Sequence, residues 1–222
     1  MDYQATETII LNDEEFILLL AAAGVRDWYG IDIGKKAEFI NDEGSVNRVL
    51  AGLYRKGMID WGQEKARISD TARPVMKILK EAPVCIMCES IAAPGLISGS
   101  YCSDGRVVMI ERSIAGDGEL RLTAMSAKEW YSFFEKGGFF PKVIRAPEDM
   151  DPDKLLPETG DKVTDFMVRS IPEGRMLENV MLYDCGVYGM IIDNTTRNST
   201  RKMYSPDEMR SIIYSWAGGA SE

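Results

Sequence analysis

The 222-residue chain contains no histidine. That absence removes the commonest general base and metal ligand, and with it every histidine-based triad. Long apolar runs are also missing, so no membrane-spanning helix is expected. The first residues, MDYQATETII, lack the basic and apolar regions of a secretory signal. Cysteine is scarce: four residues at irregular spacing, a usage that suits a reducing cytosol and a cytoplasmic location. Positive charge is in deficit, with 26 Lys and Arg against 35 Asp and Glu and a net charge of −9. Bulk charge therefore opposes nucleic acid and anionic membrane, although a local basic patch can override it. Neither a phosphate-cradling loop nor a dinucleotide fingerprint occurs.

The remaining chemistry-bearing patterns are weak. Cys85-x-x-Cys88 has metal-like spacing, and Cys102 and Cys185 would complete an all-cysteine set. The pair falls in a stretch that reads as a strand, where positions i and i+3 point to opposite faces. Buried, apolar cysteines are the expectation, with no metal. Glu148, Asp149, Asp151 and Asp153 lack the loop glycine and terminal glutamate of a calcium loop, and read as a solvated acidic linker. No catalytic residue and no cofactor are expected, which points away from an enzyme.

What the chain does have is architecture. Ser126–Phe140 (SAKEWYSFFEKGGFF) opens with Ser-x-x-Glu and carries Trp130, Phe133 and Phe134 at helical spacing. Ser205–Trp216 repeats the plan, with Pro206 at the first helical position and Met209, Ile212, Ile213 and Trp216 on one stripe. Each reads as a capped, one-sided helix. Strand patterns precede both. Val84–Ser90, Leu96–Tyr101, Arg106–Arg112 and Glu119–Met125 lead to the first helix. Val163–Arg169, Met176–Tyr183, Val187–Asp193 and Thr200–Tyr204 lead to the second. Short turns, Gly116-Asp117-Gly118 among them, make neighbouring strands antiparallel. The plan reads either as an internal duplication, 84–140 and 163–217, or as two unrelated meanders. Arg145–Lys162, proline-rich and acidic, separates them as an exposed crossover.

The N-terminal part is helical. Asn12 caps a first helix with Glu15 three positions on, and Gly24 is placed to end it. Asp27–Asn41 is ambiguous and reads as loop with a short helical turn. Glu43–Lys56 is an amphipathic helix, Met58–Trp61 and Ala66–Ile68 form a short hairpin, and Ser69 caps a third helix whose start Pro74 can delay. This layout, LYRKGMIDWGQEKARISDTARPVMKIL above all, resembles the second helix, wing and following helix of the winged-helix superfamily. That resemblance implies DNA reading by the helix before the wing, through Arg48, Arg55, Lys56 and Arg67. Residues 1–82, however, hold 11 Lys and Arg against 14 Asp and Glu. A structural or protein-binding role for the unit is favoured.

The expected fold is therefore α+β. A winged-helix-like unit over 1–82 is followed, over 83–222, by a curved antiparallel sheet with two quasi-repeated strand–strand–helix halves, the whole forming one compact body. Phe139 and Phe140 directly follow Gly137-Gly138, so one of them is expected at the surface as a partner anchor. The thirteen methionines suit adaptable packing or a permissive binding surface, with core packing expected for most.

At whole-chain level this layout resembles the EspG family of bacterial type VII (ESX) secretion chaperones. The resemblance rests on the order of LNDEEFILLLAAAGV, LAGLYRKGMIDW and ISDTARPVMKILKEAP, then the sheet with its helix and a second, similar half. The proline-rich step of the family is replaced by Asp27-Trp28-Tyr29-Gly30. The resemblance implies a non-enzymatic cytosolic adaptor that shields a helical secretion substrate of WXG or LXG type. It maps partner contact to the 90–106 strand connection, with Leu96, Ile97 and Tyr101, and to the surface near Phe139 and Phe140. A DNA-binding regulator with a β-rich sensor part is the alternative.

Overall fold

The computed structural model describes residues 7–29, 34–62, 65–93, 98–112, 118–142, 160–196 and 198–218. Its centre is a nine-stranded antiparallel sheet. The strands are β1 (Glu7–Leu11), β4 (Val84–Ser90), β5 (Ser98–Ser103), β6 (Arg106–Arg112), β7 (Leu120–Ser126), β8 (Asp161–Ser170), β9 (Met176–Asp184), β10 (Gly189–Asp193) and β11 (Thr200–Met203). In space they run β1-β7-β6-β5-β4-β8-β9-β10-β11. The sheet thus grows outward from the β4–β8 pair, one meander on each side. Asp104-Gly105 turns β5 into β6 with both residues at positive φ, 49° and 73°. That is the Asp-Gly hairpin chemistry that matches strand twist.

β1 departs from expectation. Glu7–Leu11 carries no long strand pattern, yet it pairs with β7 in the register Ile9↔Leu122 and Leu11↔Leu120. Ile9 and Leu11 are buried and Ile10 faces out, the period-two signature of a strand with one covered face. The N-terminal segment is therefore bonded into the sheet edge.

The helices are α1 (Asp13–Ala23), α2 (Glu43–Arg55), α3 (Arg73–Glu81), α4 (Ala127–Lys136) and α5 (Pro206–Trp216), with a 3₁₀ stretch at Gly34–Asn41. A small hairpin, β2 (Ile59–Trp61) and β3 (Ala66–Ile68), lies between α2 and α3. The capping boxes at Asn12/Glu15 and Ser126/Glu129 are both closed. At Ser205 only half forms: its side chain accepts from the Glu208 N–H, while the Glu208 carboxylate takes Lys202 Nζ at 2.7 Å. Ser69 is not the cap of α3, which begins at Arg73 with Pro74 in its first turn. Pro74 lacks an N–H and suits a helix start, so the helix begins there. The Ser69 hydroxyl instead donates to the Gly57 carbonyl at 2.7 Å and ties the hairpin to the helix.

Two cores lie on the two sides of the sheet. On one side α1, α2 and α3 bury Phe16, Leu20, Leu53, Val75 and Leu79 against Cys85, Tyr101, Val108, Ile110 and Leu122. On the other, α4 and α5 bury Trp130, Phe134, Ile213 and Trp216 against Ile86, Val107, Phe166, Val180 and Leu182. The strands β4–β7 carry residues of both cores, which explains runs such as Val107–Ile110 with no polar alternation. Buried Asp13, at the first turn of α1, takes a forked pair from Arg112 of β6 at 2.8 and 3.2 Å. Ion pairing thus adds to apolar burial where the helical unit meets the sheet.

Candidate partner-binding face

The residues expected to contact a partner fare unevenly. Leu96 and Ile97 lie outside the described residues. Tyr101 is buried, and its hydroxyl accepts from the Tyr29 N–H at 2.7 Å and donates to the Tyr29 carbonyl at 3.0 Å. Burial pushes the Tyr101 phenol well above its usual range. Its role here is to pin the loop after α1 onto the sheet.

Phe139 and Phe140 are both buried, so the expectation that one is exposed is corrected. Gly138 takes φ 76° and folds the chain back under α4. There Phe139 meets Phe134 at a centroid distance of 5.3 Å and Phe140 meets Tyr131 at 5.4 Å. The Thr164 hydroxyl of β8 closes the turn by donating to the Phe139 carbonyl at 2.5 Å.

Of the four basic residues assigned to DNA, Arg48, Arg55 and Arg67 are exposed. Lys56 is engaged. Its ammonium donates to the Glu15 carboxylate at 2.7 Å and to the Ile10 carbonyl at 3.2 Å. A buried carboxylate needs a counter-charge, and Lys56 supplies it.

Cys85 belongs to the core under the helical unit and Cys88 to the core under α4 and α5. The strand argument for opposite faces therefore holds. Burial pushes the Cys85 thiol up to about 12, and also raises Cys88 and Cys102. Among the described residues no cluster of three or more His, Cys, Asp or Glu is placed to hold a metal ion.

The feature that emerges instead is one face of the second half of the sheet. Register places Met87 opposite Met167, Met181 opposite Ile192, and Met190 opposite both Tyr183 and Met203. Asp165 pairs with Met181 and shares the face of Met167. Five of the thirteen methionines thus lie on one side of β4 and β8–β11, with Tyr183 and Ile192. This is the side that α1–α3 cover in the first half. The core under those helices ends at Cys85 and Tyr101 and includes none of these methionines. Met190 is buried, while Met87, Met167, Met181 and Met203 are half-buried.

The face has a boundary and a polar frame. Tyr29 closes it on the helical side, with the Arg169 guanidinium 5.0 Å from its ring centroid. Asp165 accepts from Asn179 at 2.7 Å and from Lys162 at 3.3 Å. Tyr183 and Asn194 aim donors at the Met181 sulfur from 3.7 and 3.5 Å. On the α4 and α5 side of the sheet, a separate cleft of about 650 Å³ opens between Ile91, Val163, Lys142, Asp184 and Cys185, with Phe140 in its lining. Ile91 is 63% exposed there. Unbranched, polarizable thioethers fit irregular apolar surfaces, so this floor can accommodate side chains of a protein partner. Sequence reasoning missed the face because strand register, not spacing, brings these methionines together. The signal that was available is the methionine count.

No described protein family and no curated protein matches the sequence. Among solved structures the fold is similar to that of the Mycobacterium tuberculosis type VII secretion system chaperone EspG5, solved in complex with a PE25–PPE41 dimer. The TM-score is 0.53 over 93% of this chain and 94% of that one, at 10% identity. The fold is EspG-like. At that identity the likeness concerns fold alone. The EspG-like fold accounts for the mixed architecture and the large antiparallel sheet. No helix of the described residues is long and apolar enough to cross a membrane.

Proposed function

We propose that this chain is a non-enzymatic, cytosolic chaperone or adaptor that binds a helical secretion substrate of WXG or LXG type. The observation that carries the reading is the likeness to a secretion chaperone along almost the full length of both chains. The methionine face is the proposed seat, because it is an apolar, deformable sheet surface. Its contacts are Met181, Tyr183 and Met203. Leu96 and Ile97 stay in the proposal on the sequence alone. Tyr101, Phe139 and Phe140 act from beneath by holding the loop after α1 and the turn after α4. Four free cysteines agree with a reducing compartment.

Co-expression with candidate helical substrates, followed by size-exclusion chromatography, tests this. A salt-resistant complex is expected. Replacing Met181 and Met203 together by lysine should abolish it, since charge would then sit on the apolar floor. Both side chains are only half-buried, so their stems can reach water and the fold should survive. A complex that forms equally with the double variant refutes the assigned face. Failure to bind any such substrate refutes the function.

The regulator alternative rests on the exposed cations Arg48, Arg55 and Arg67, against which stand Asp42, Glu43 and Asp60 and the net charge of −9. Its DNA-reading set loses Lys56 to Glu15. The winged-helix-like layout of residues 1–82 and the domain division at residue 82 remain proposals.

A further inference from the structure

We propose that the outer surface of α2 and the β2–β3 hairpin is a second docking surface, built for an acidic, amphipathic polypeptide segment. Arg48, Ala51, Tyr54 and Arg55 recur at helical spacing on one face of α2, and all are exposed. β2 packs against α2, and Trp61, Lys65 and Arg67 of the hairpin are exposed beside it. Tyr54 is 52% and Trp61 55% exposed, among the most exposed large apolar side chains of the described residues.

Charge selects the partner. Residues 43–68 hold five Lys and Arg against three Asp and Glu, in a chain of net charge −9. Lys56 is taken by Glu15, which leaves Arg48, Arg55, Lys65 and Arg67 facing outward. Arg48 donates to Ser45 Oγ at 3.0 Å and Arg55 to the Ala51 carbonyl at 3.3 Å, so both guanidinium groups are steered along the helix. Exposed Trp and Tyr flanked by Arg is the composition of protein hot spots. A nucleic acid fits less well. Asp60 sits opposite Arg67 in the hairpin register, Asp42 and Glu43 stand at the start of α2, and the acidic chain repels a polyanion. A helix with carboxylates along one edge and leucines along the other matches both the cations and the rings. This surface is separate from the methionine face and does not depend on its assignment.

The test uses the full chain and a fluorescein-labelled synthetic helical peptide with one Glu face and one Leu face. Anisotropy should show binding that weakens with salt. Trp61→Ser should weaken it about tenfold and Arg55→Glu about fivefold, the range of interface anchors. Both residues are exposed, so unchanged circular dichroism is expected and serves as the folding check. The Met181/Met203 lysine variant should bind the peptide normally, which separates this proposal from the one above. No peptide binding, or binding indifferent to both substitutions, overturns it. So does tighter binding of a labelled oligothymidine, or concentration-dependent self-association that Trp61→Ser abolishes.

Discussion

Lys56→Met isolates what the Glu15 pair does for the fold. Glu15 is 5% exposed at its side chain and Lys56 is 41% exposed. The carboxylate also accepts the Asn12 N–H at 2.9 Å as part of the capping box. Methionine keeps the apolar stem of Lys56 and removes the charge. Stripping the partner from a fully buried charge costs about 3–5 kcal/mol. Lys56 is partly hydrated and Glu15 keeps one donor, so about 1.5–3 kcal/mol is expected. In a chain of this size that lowers Tm by roughly 3–12 °C. Glu15→Gln should cost only about 1 kcal/mol, because the amide oxygen still caps Asn12 and the freed ammonium can turn to water. The double variant should cost no more than Lys56→Met alone. Urea titrations followed by circular dichroism measure all three. A Lys56→Met variant within about 0.5 kcal/mol of wild type refutes the reasoning. The pair would then be an ordinary surface contact, and Lys56 would be free for a partner.

Three further outcomes follow from buried thiols and a tight glycine. In the native protein a maleimide should label Cys185 and leave Cys85, Cys88 and Cys102 untouched until denaturant is added, as intact-mass spectrometry would show. Burial raises the same three thiols in the folded state, Cys85 to about 12. Above about pH 9 the unfolded chain therefore loses protons that the folded chain keeps, and stability should fall as pH rises further. Gly189→Ala would place its Cβ 2.7 Å from Pro141 Cβ and 3.0 Å from Tyr204 Cβ. Overpacking of that kind costs about 1–3 kcal/mol, readable as a lower denaturation midpoint at unchanged slope. A neutral Gly189→Ala would mean that the turn after α4 does not press on β10.

Much of the element order was legible because local chemistry dictates it. Asn12 and Ser126 cap with a glutamate three residues on, Gly24 ends α1 in the left-handed conformation, and Val84–Ser90 and Arg106–Arg112 are strands to the residue. Those outcomes need only neighbours within a few positions. The opposite facing of Cys85 and Cys88 followed from strand geometry alone. Other features depend on distant residues. β1 is a strand because Leu120–Ser126 offers an open edge, Lys56 is spent because Glu15 is buried beside it, and Phe139 and Phe140 turn inward because α4 and β8 enclose them. The methionine face belongs to the same class. Met87, Met167, Met181, Met190 and Met203 are spread over more than a hundred residues. Only strand register, set by hydrogen bonds across five strands, places them on one side.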